Sequence, residues 1–371
     1  MRKFLPVTLM AVQSLCAQNV IFEDVNFKTA LLAAYPSYDV NKDKEISEEE
    51  ALMFTTIRNL RSYPAITSAK GIEAFKNLTE LNLGRHSLTS IDVSENTKLK
   101  ILNLRDNRLT GVLDLSGLNE LSNLELNNNN LTGVELPASG TIVFLYLNNN
   151  QIESIDLSKQ KAVKRFFMVK NKVSSLDLSP MTALERLHIE GNALREVDLS
   201  GLGALSWVSV VDNKIEKITF GGNEALKTLL ANKNNLKTLD LRDAKPTVFS
   251  VINVSDNPDF TEILLDCEDK VNMVSPSGTR VTNDCASLSV REVREVLGYV
   301  GPNPATDELI FKGFTSSIEM VQIFDAQGRL IQESQLSDEP RLRLEPSVRS
   351  GLLLVRVKTS RGEQIFKIMK K

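Results

Sequence analysis

The stretch Leu99-Lys-Ile-Leu102-Asn-Leu104-Arg-Asp-Asn107-Arg-Leu109 decides the fold of this chain. The same phrase precedes it as Leu78-Thr-Glu-Leu81-Asn-Leu83 with Leu88, and follows it as Leu121, Leu124, Leu126, Asn129 and Leu131. Further copies begin at Ile142, Val163, Leu184, Leu205, Leu226 and Phe249, so nine units run at spacings of 21, 22, 21, 21, 21, 21, 21 and 23 residues. Within each unit the x-L-x-L-x segment alternates with period two, which predicts a short strand with its leucines pointing inward. One unit cannot bury its leucines alone, but stacked neighbours can, with their strands joined in a parallel sheet. Asparagine recurs where each unit leaves the strand, at Asn107, Asn129, Asn150, Asn171, Asn192, Asn213, Asn234 and Asn257. A short amide there offers donors and an acceptor to turn backbone that faces the interior. His86 occupies that position in the first unit and is expected to cap its turn.

The pattern L-x-x-L-x-L-x-x-N-x-L is that of the leucine-rich repeat. The 21-residue unit and phrases such as Ile152-Glu-Ser-Ile155-Asp156-Leu157-Ser158 resemble the bacterial internalin-type repeats, those of the internalin J type above all. That type often carries cysteine at the second strand leucine. Here the column reads Leu83, Leu104, Leu126, Leu147, Met168, Ile189, Val210, Ala231 and Val254, so the likeness lies in period and phrase. The resemblance implies a surface adhesin that binds a host or bacterial partner; periodicity by itself establishes a solenoid.

Composition sets the outer limits. A chain of 371 residues suits two or three domains. Lys and Arg total 44 against 47 Asp and Glu, a net charge of −3, which gives no support for nucleic acid or another polyanion as partner. With two histidines, His86 and His188, and three cysteines, Cys16, Cys267 and Cys285, neither a three-histidine nor a four-cysteine metal site can be built.

Residues 1–17 read as a secretory signal peptide: Arg2 and Lys3 open it, Phe4 to Val12 is apolar but too short to span a bilayer, and cleavage is expected after Ala17. A lipoprotein alternative would use Cys16, but Leu15 directly before it departs from that signal. No later stretch reaches the roughly 18 apolar residues of a membrane span. Export leaves Cys267 and Cys285 as a pair, and in an oxidising compartment they are expected to form a disulfide that contributes about 3 kcal/mol.

Residues 18–77 are assigned to a helical cap, with helices over Phe27–Ala34 and Ala51–Leu60. The intervening loop resembles an EF-hand or dockerin calcium loop, with Asp39, Asn41, Asp43, the Glu45 carbonyl and Glu50 as ligands, so structural calcium is the one cofactor considered. Lys44 stands where such loops need glycine. The competing reading makes Ser47 an N-cap and Glu50 the far side of a capping box. Residues 71–78 form a degenerate first repeat with Ile72 and Phe75 in the core, the nine repeats occupy 78–267, and 268–298 are an irregular end cap and linker.

Residues 299–371 change character. Strands are expected at Glu308–Phe311, Met320–Phe324, Arg329–Ser334, Leu353–Thr359 and Gln364–Met369, which makes a small Ig-like β-sandwich. Pro302-Asn303-Pro304-Ala305, then Val321 to Arg329 with Asp325 and Gly328, then Ser350-Gly351-Leu352, and finally Lys367 to Lys371 resemble the C-terminal sorting domain of the Bacteroidetes type IX secretion system. Two departures stand out: Leu352 where an aromatic usually follows Gly351, and Gly301 where tyrosine usually precedes the Pro-Asn-Pro run. The resemblance implies handling by the type IX machinery, removal of the domain by a sortase-like protease within residues 286–300, and a product attached to the outer-membrane surface or released. The expected fold is thus an α/β-type leucine-rich repeat solenoid, mostly parallel β with few helices, followed by a small all-β sandwich.

Strand residues that point outward line the concave face. One column runs Glu80, Ile101, Asn123, Phe144, Arg165, Arg186, Trp207, Thr228 and Val251; the next runs Asn82, Asn103, Glu125, Tyr146, Phe167, His188, Ser209, Leu230 and Asn253; a third includes Glu190. Neighbours in a column should lie about 4.8 Å apart. Phe144, Tyr146, Arg165, Phe167, Arg186, His188 and Trp207 therefore share one patch, of residue types that dominate binding hot spots. The leading expectation is a binding protein with a protein or glycan partner. A structural surface component is the alternative. A hydrolase built on His188, Ser209 and Glu190 is the remote one, since no phosphate loop, nucleophile elbow or metal cluster is present in the sequence.

Overall fold

The computed structural model describes residues 18–244, 249–266, 271–284, 299–312, 314, 317–336, 341–359 and 362–371. Residues 1–17, expected as a signal peptide, Cys267 and Cys285 of the expected disulfide, and residues 286–298 of the expected cleavage interval lie outside them. The chain divides into two units, Met1–Asn283 and Asp284–Lys371.

In the first unit, eleven short parallel strands stack in chain order, from Thr56–Ile57 through Glu80–Asn82 and onward to Phe249–Asn253 and Val271–Val274. Their inward residues form two columns. Leu81, Leu102, Leu124, Leu145, Phe166, Leu187, Val208, Leu229 and Ile252 make one, and Leu83 to Val254 the other; none exceeds 1 % exposure. Each side chain buried this way contributes roughly 2 kcal/mol, and none could be buried without the units on either side.

The asparagines close the turns as their chemistry requires. Asn107 donates through Nδ2 to the Leu83 carbonyl of the preceding unit (2.8 Å) and to the Leu104 carbonyl of its own (2.9 Å), while its Oδ1 accepts the Leu88 N–H at 3.0 Å. Asn150 repeats this with Leu126, Leu147 and Leu131. The residue before each ladder position is left-handed, from Lys170 (φ 53°) to Arg85 and Gly191 (φ 66°). Only Gly191 adopts that conformation freely, and the others cost about 1 kcal/mol or more each. At Asn128 and Asn149 the side chains return some of it, donating to Asp106 (2.6 Å) and Asn128 (2.8 Å).

The ends differ from expectation in two places. Helix α1 spans Val25–Ala34, N-capped by Asp24, but the second helix is one turn, α2 (Glu48–Ala51). Beyond it the β-branched run Thr55-Thr56-Ile57 adds a strand to the sheet, with Thr56 opposite Glu80 and Ile57 opposite Leu81. This strand, with buried Ile57, Leu60, Ile72 and Phe75, covers the first leucine layer. At the far end, Val271–Val274 continues the parallel sheet and Arg280–Asp284 joins Glu262–Asp266 and Thr238–Asp240 in a separate three-stranded sheet, so strand pairing persists where an irregular cap was expected.

The second unit has two antiparallel sheets. Tyr299–Gly301, Glu308–Lys312 and Arg341–Arg343 make one; Leu330–Ser334, Ile318–Phe324, Gly351–Thr359 and Gly362–Lys370, in that order, make the other. Leu309, Phe311, Val321, Ile323, Val355 and Val357 are among its core residues. All five expected strands are present; Tyr299–Gly301 and Arg341–Arg343 are additional.

Candidate binding face

The strand registers place both outward columns as the repeat spacing requires. Phe144, Arg165, Arg186 and Trp207 are successive Cα partners, as are Tyr146, Phe167, His188 and Ser209. Side chains alternate across the sheet, so these rings cannot turn into the core without displacing leucines.

They touch one another instead. The Phe144 and Tyr146 rings are near-parallel with centroids 6.4 Å apart, Tyr146 meets Phe167 edge-on at 5.1 Å, Phe167 lies 4.4 Å from His188, and His188 stacks on Trp207 at 6.3 Å. The Arg165 guanidinium sits 5.3 Å from the Phe144 centroid, within cation–π range. Trp207 remains 37 % exposed, and both arginines are exposed. All seven residues expected from the sequence thus fall in one contiguous surface.

His188 is oriented by Glu190, with Nδ1 3.0 Å from Oε1. Burial pushes the Glu190 carboxyl up, but the side chains of His188 and Ser209 outweigh it and hold the group below the ordinary glutamate range. Ser209 is 1 % exposed and lies beneath this surface. A hydrolytic serine must reach its substrate, and the geometry here is that of an oriented imidazole on an open sheet. Asn127 and Asn148 stand in the third outward column, and there the sequence reading missed their role: their Oδ1 atoms accept the Asn148 and Val169 N–H groups of the next unit at 2.8 Å. Their recurrence in the third outward column was the available signal.

The acidic loop of the cap forms the capping box. Ser47 Oγ accepts the Glu50 N–H at 3.2 Å, and Glu50 Oε2 accepts the Ser47 N–H at 2.9 Å. Glu50 Oε1 takes the Val40 N–H at 2.8 Å, so both oxygens that would hold calcium are engaged by donors. Asn41 and Asp43 bond to each other and Glu45 pairs with Lys28. Two features fit a cation: Lys44 adopts the left-handed conformation asked of that position, and Asp39 Oδ1 is buried without a partner. Among the described residues, no three acidic, histidine or cysteine side chains gather as a metal site.

In the second unit the motif residues hold the end of the chain. Asn303 Nδ2 donates to the Lys367 carbonyl (3.2 Å) and its Oδ1 accepts the Met369 N–H (2.9 Å), so a side chain mimics a strand edge. Ala305 then pairs with Met369 and Lys371 through backbone. Asp325 Oδ1 accepts the N–H groups of Gln327 and Arg329 across a turn whose Gly328 has φ 78°. Gly351, with φ 135°, opens the long strand.

Residues 299–371 match the family described as the secretion system C-terminal sorting domain. No curated protein matches the chain. Among solved structures, the functional domain of InlJ from Listeria monocytogenes, which includes a cysteine ladder, is similar at 16 % identity and a TM-score of 0.45, covering 95 % of this chain and 98 % of that one. An internalin, InlF, from the same organism is 18 % identical over 72 % of this chain and 98 % of that one, with a TM-score of 0.36. A plant ice-binding protein is 24 % identical over 52 % and 70 % of the two chains, with a TM-score of 0.42. The first unit is a leucine-rich repeat solenoid followed by a type IX sorting domain, which implies export. No helix among the described residues is long and apolar enough to cross a membrane.

Proposed function

We propose that this exported chain is a recognition protein, without enzymatic activity, whose solenoid binds a protein or glycan on a host or bacterial surface. One observation carries the reading: five rings, from Phe144 to Trp207, stand in continuous contact across four strands on the solvent side of the sheet. Side chains that served only strand propensity would be scattered; a contiguous aromatic surface flanked by arginine is the composition of a binding hot spot. Delivery follows from the termini. The signal peptide takes the chain to the periplasm, the sorting domain takes it across the outer membrane, and a sortase-like protease cleaves within residues 286–300, leaving the solenoid attached to the cell surface or released.

Binding of the purified full chain to protein and glycan arrays tests the reading. The wild type should retain one class of ligand that a Trp207→Ala, Phe167→Ala variant with unchanged circular dichroism and Tm loses. Equal binding by the two would favour a structural surface component.

A further inference from the structure

The outward column reads aromatic, arginine, arginine, aromatic: Phe144, Arg165, Arg186, Trp207, each the direct Cα partner of the next on adjacent strands. Arg165 and Arg186 thus rise from adjacent strands about 4.8 Å apart, and their like charges repel. Other solenoid arginines with carboxylates in reach are paired: Arg58 with Glu80, Arg85 with Asp106, Arg105 with Glu125, Arg195 with Glu216. Beside Arg165 and Arg186 the acids are already engaged, Glu185 by Lys164 at 2.9 Å and Glu190 by His188 at 3.0 Å. Arg165 has only the Phe144 ring, and neither arginine makes an ion pair among the described residues. Among the described residues no carboxylate offsets the two charges, so the arrangement is relieved when an outside anion bridges them.

The surroundings choose among anions. Every strand here sits between two others in the sheet, so there is no free edge on which a peptide could add as a strand. The rings form a surface rather than a groove that would seat a helix or an extended chain, which removes the usual routes to peptide recognition. The exposed Trp207 ring and the half-buried Phe144 ring suit the apolar faces of sugar rings. The near-balanced charge of −3 gives no long-range pull on a polyanion, which points to a discrete acid group. Building on the binding reading above, we propose that the ligand is a glycan bearing a carboxylated sugar, its carboxylate held between Arg165 and Arg186 and its rings stacked on Phe144 and Trp207.

The test measures binding of the full chain to a galacturonate trimer and a sialylated lactose, each beside its carboxyl-reduced counterpart, with a triglutamate peptide as the acidic non-sugar. The proposal expects at least one acidic sugar to bind, carboxyl reduction to weaken it at least about tenfold, and Arg165→Gln, Arg186→Gln to do the same while leaving Tm unchanged. Triglutamate binding as tightly as the sugars, or no preference for either acidic sugar over its reduced form, overturns it. If the arginine variant keeps an array ligand that the Trp207→Ala, Phe167→Ala variant loses, the binding face stands and the acidic sugar falls. If both variants keep that ligand, the face itself falls.

Discussion

His86 accepts the Ile66 backbone N–H through Nδ1 at 3.3 Å, the service that Asn107 Oδ1 performs for Leu88 one unit later at 3.0 Å. Histidine thus occupies a rung of an asparagine ladder, but it lacks the amide's second function: its Nε2 is buried without a partner. Burial holds this imidazole below its ordinary value of 6.5, against a smaller opposing pull from Asp24. The unfolded chain takes up the proton first as pH falls, so stability from this site is complete above about pH 6.5 and declines below it until the folded imidazole also titrates. His86→Asn should remove that decline and add about 1 kcal/mol by restoring the missing donor. Urea denaturation at pH 5 and pH 8 checks both; an unaltered pH dependence in the variant contradicts the assignment.

Asn150→Ala should be among the most damaging substitutions of a 2 % exposed polar residue here. It leaves the Leu131 N–H without its side-chain acceptor and removes one of the two amide donors from the Leu126 and Leu147 carbonyls, which keep Asn129 and Asn171. With roughly 1–3 kcal/mol for the one buried N–H left unsatisfied and about 0.5 kcal/mol for each of the two hydrogen bonds lost beside it, a loss of about 3 kcal/mol is expected. A loss under 1 kcal/mol in chemical denaturation would mean that water takes over the amide's role.

Glu50→Ala should cost about 1–2 kcal/mol through the capping box and the Val40 contact. Burial raises the Glu50 carboxyl, but its hydrogen bonds to Ser47 and Val40 outweigh this and hold it below the ordinary glutamate range. Its contribution is therefore present at neutral pH and fades as pH falls through the folded value. Because both oxygens are committed to donors, calcium is expected to leave the wild-type Tm unchanged. A rise in Tm with calcium that Asp39→Ala abolishes would restore the metal reading of this loop.

Asn303→Ala should loosen the outer edge of the sorting domain's last strand, where its side chain holds the Lys367 carbonyl and the Met369 N–H, while Ala305 and the pairing with Gly351–Thr359 keep the strand in place. The expected cost is about 1–2 kcal/mol for that domain, with the chain retained in the periplasm of the native cell. Cell fractionation reads this out. In the wild type, mass spectrometry of the surface form should find a C-terminus within residues 286–300; a surface form ending at Lys371 contradicts the cleavage.

Period and register are legible in the sequence because repetition forces them. Once Leu102 and Leu124 are inward and one unit apart, Ile101 must face Asn123. The second cap helix misleads for a physical reason. Ala51, Phe54 and Ile57 recur at helical spacing, yet an open solenoid end needs covering, and Thr56–Ile57 gain more from pairing with Glu80–Leu81 than from a further turn of helix. Arg341–Arg343 escapes because a strand with one inward leucine between two arginines has no pattern to read. The ring contacts from Phe144 to Trp207 depend on side-chain torsions, and the Asn303 clamp joins residues 64 and 66 positions apart; neither is a local property of the chain.

In the proposed function, the ring surface between Phe144 and Trp207 is where this protein meets its partner. The most direct test is array binding of the full chain beside the Trp207→Ala, Phe167→Ala variant, with circular dichroism and Tm matched. Loss of the wild type's ligand by at least about tenfold in the variant is the expected result. Undiminished binding by a folded variant would contradict it.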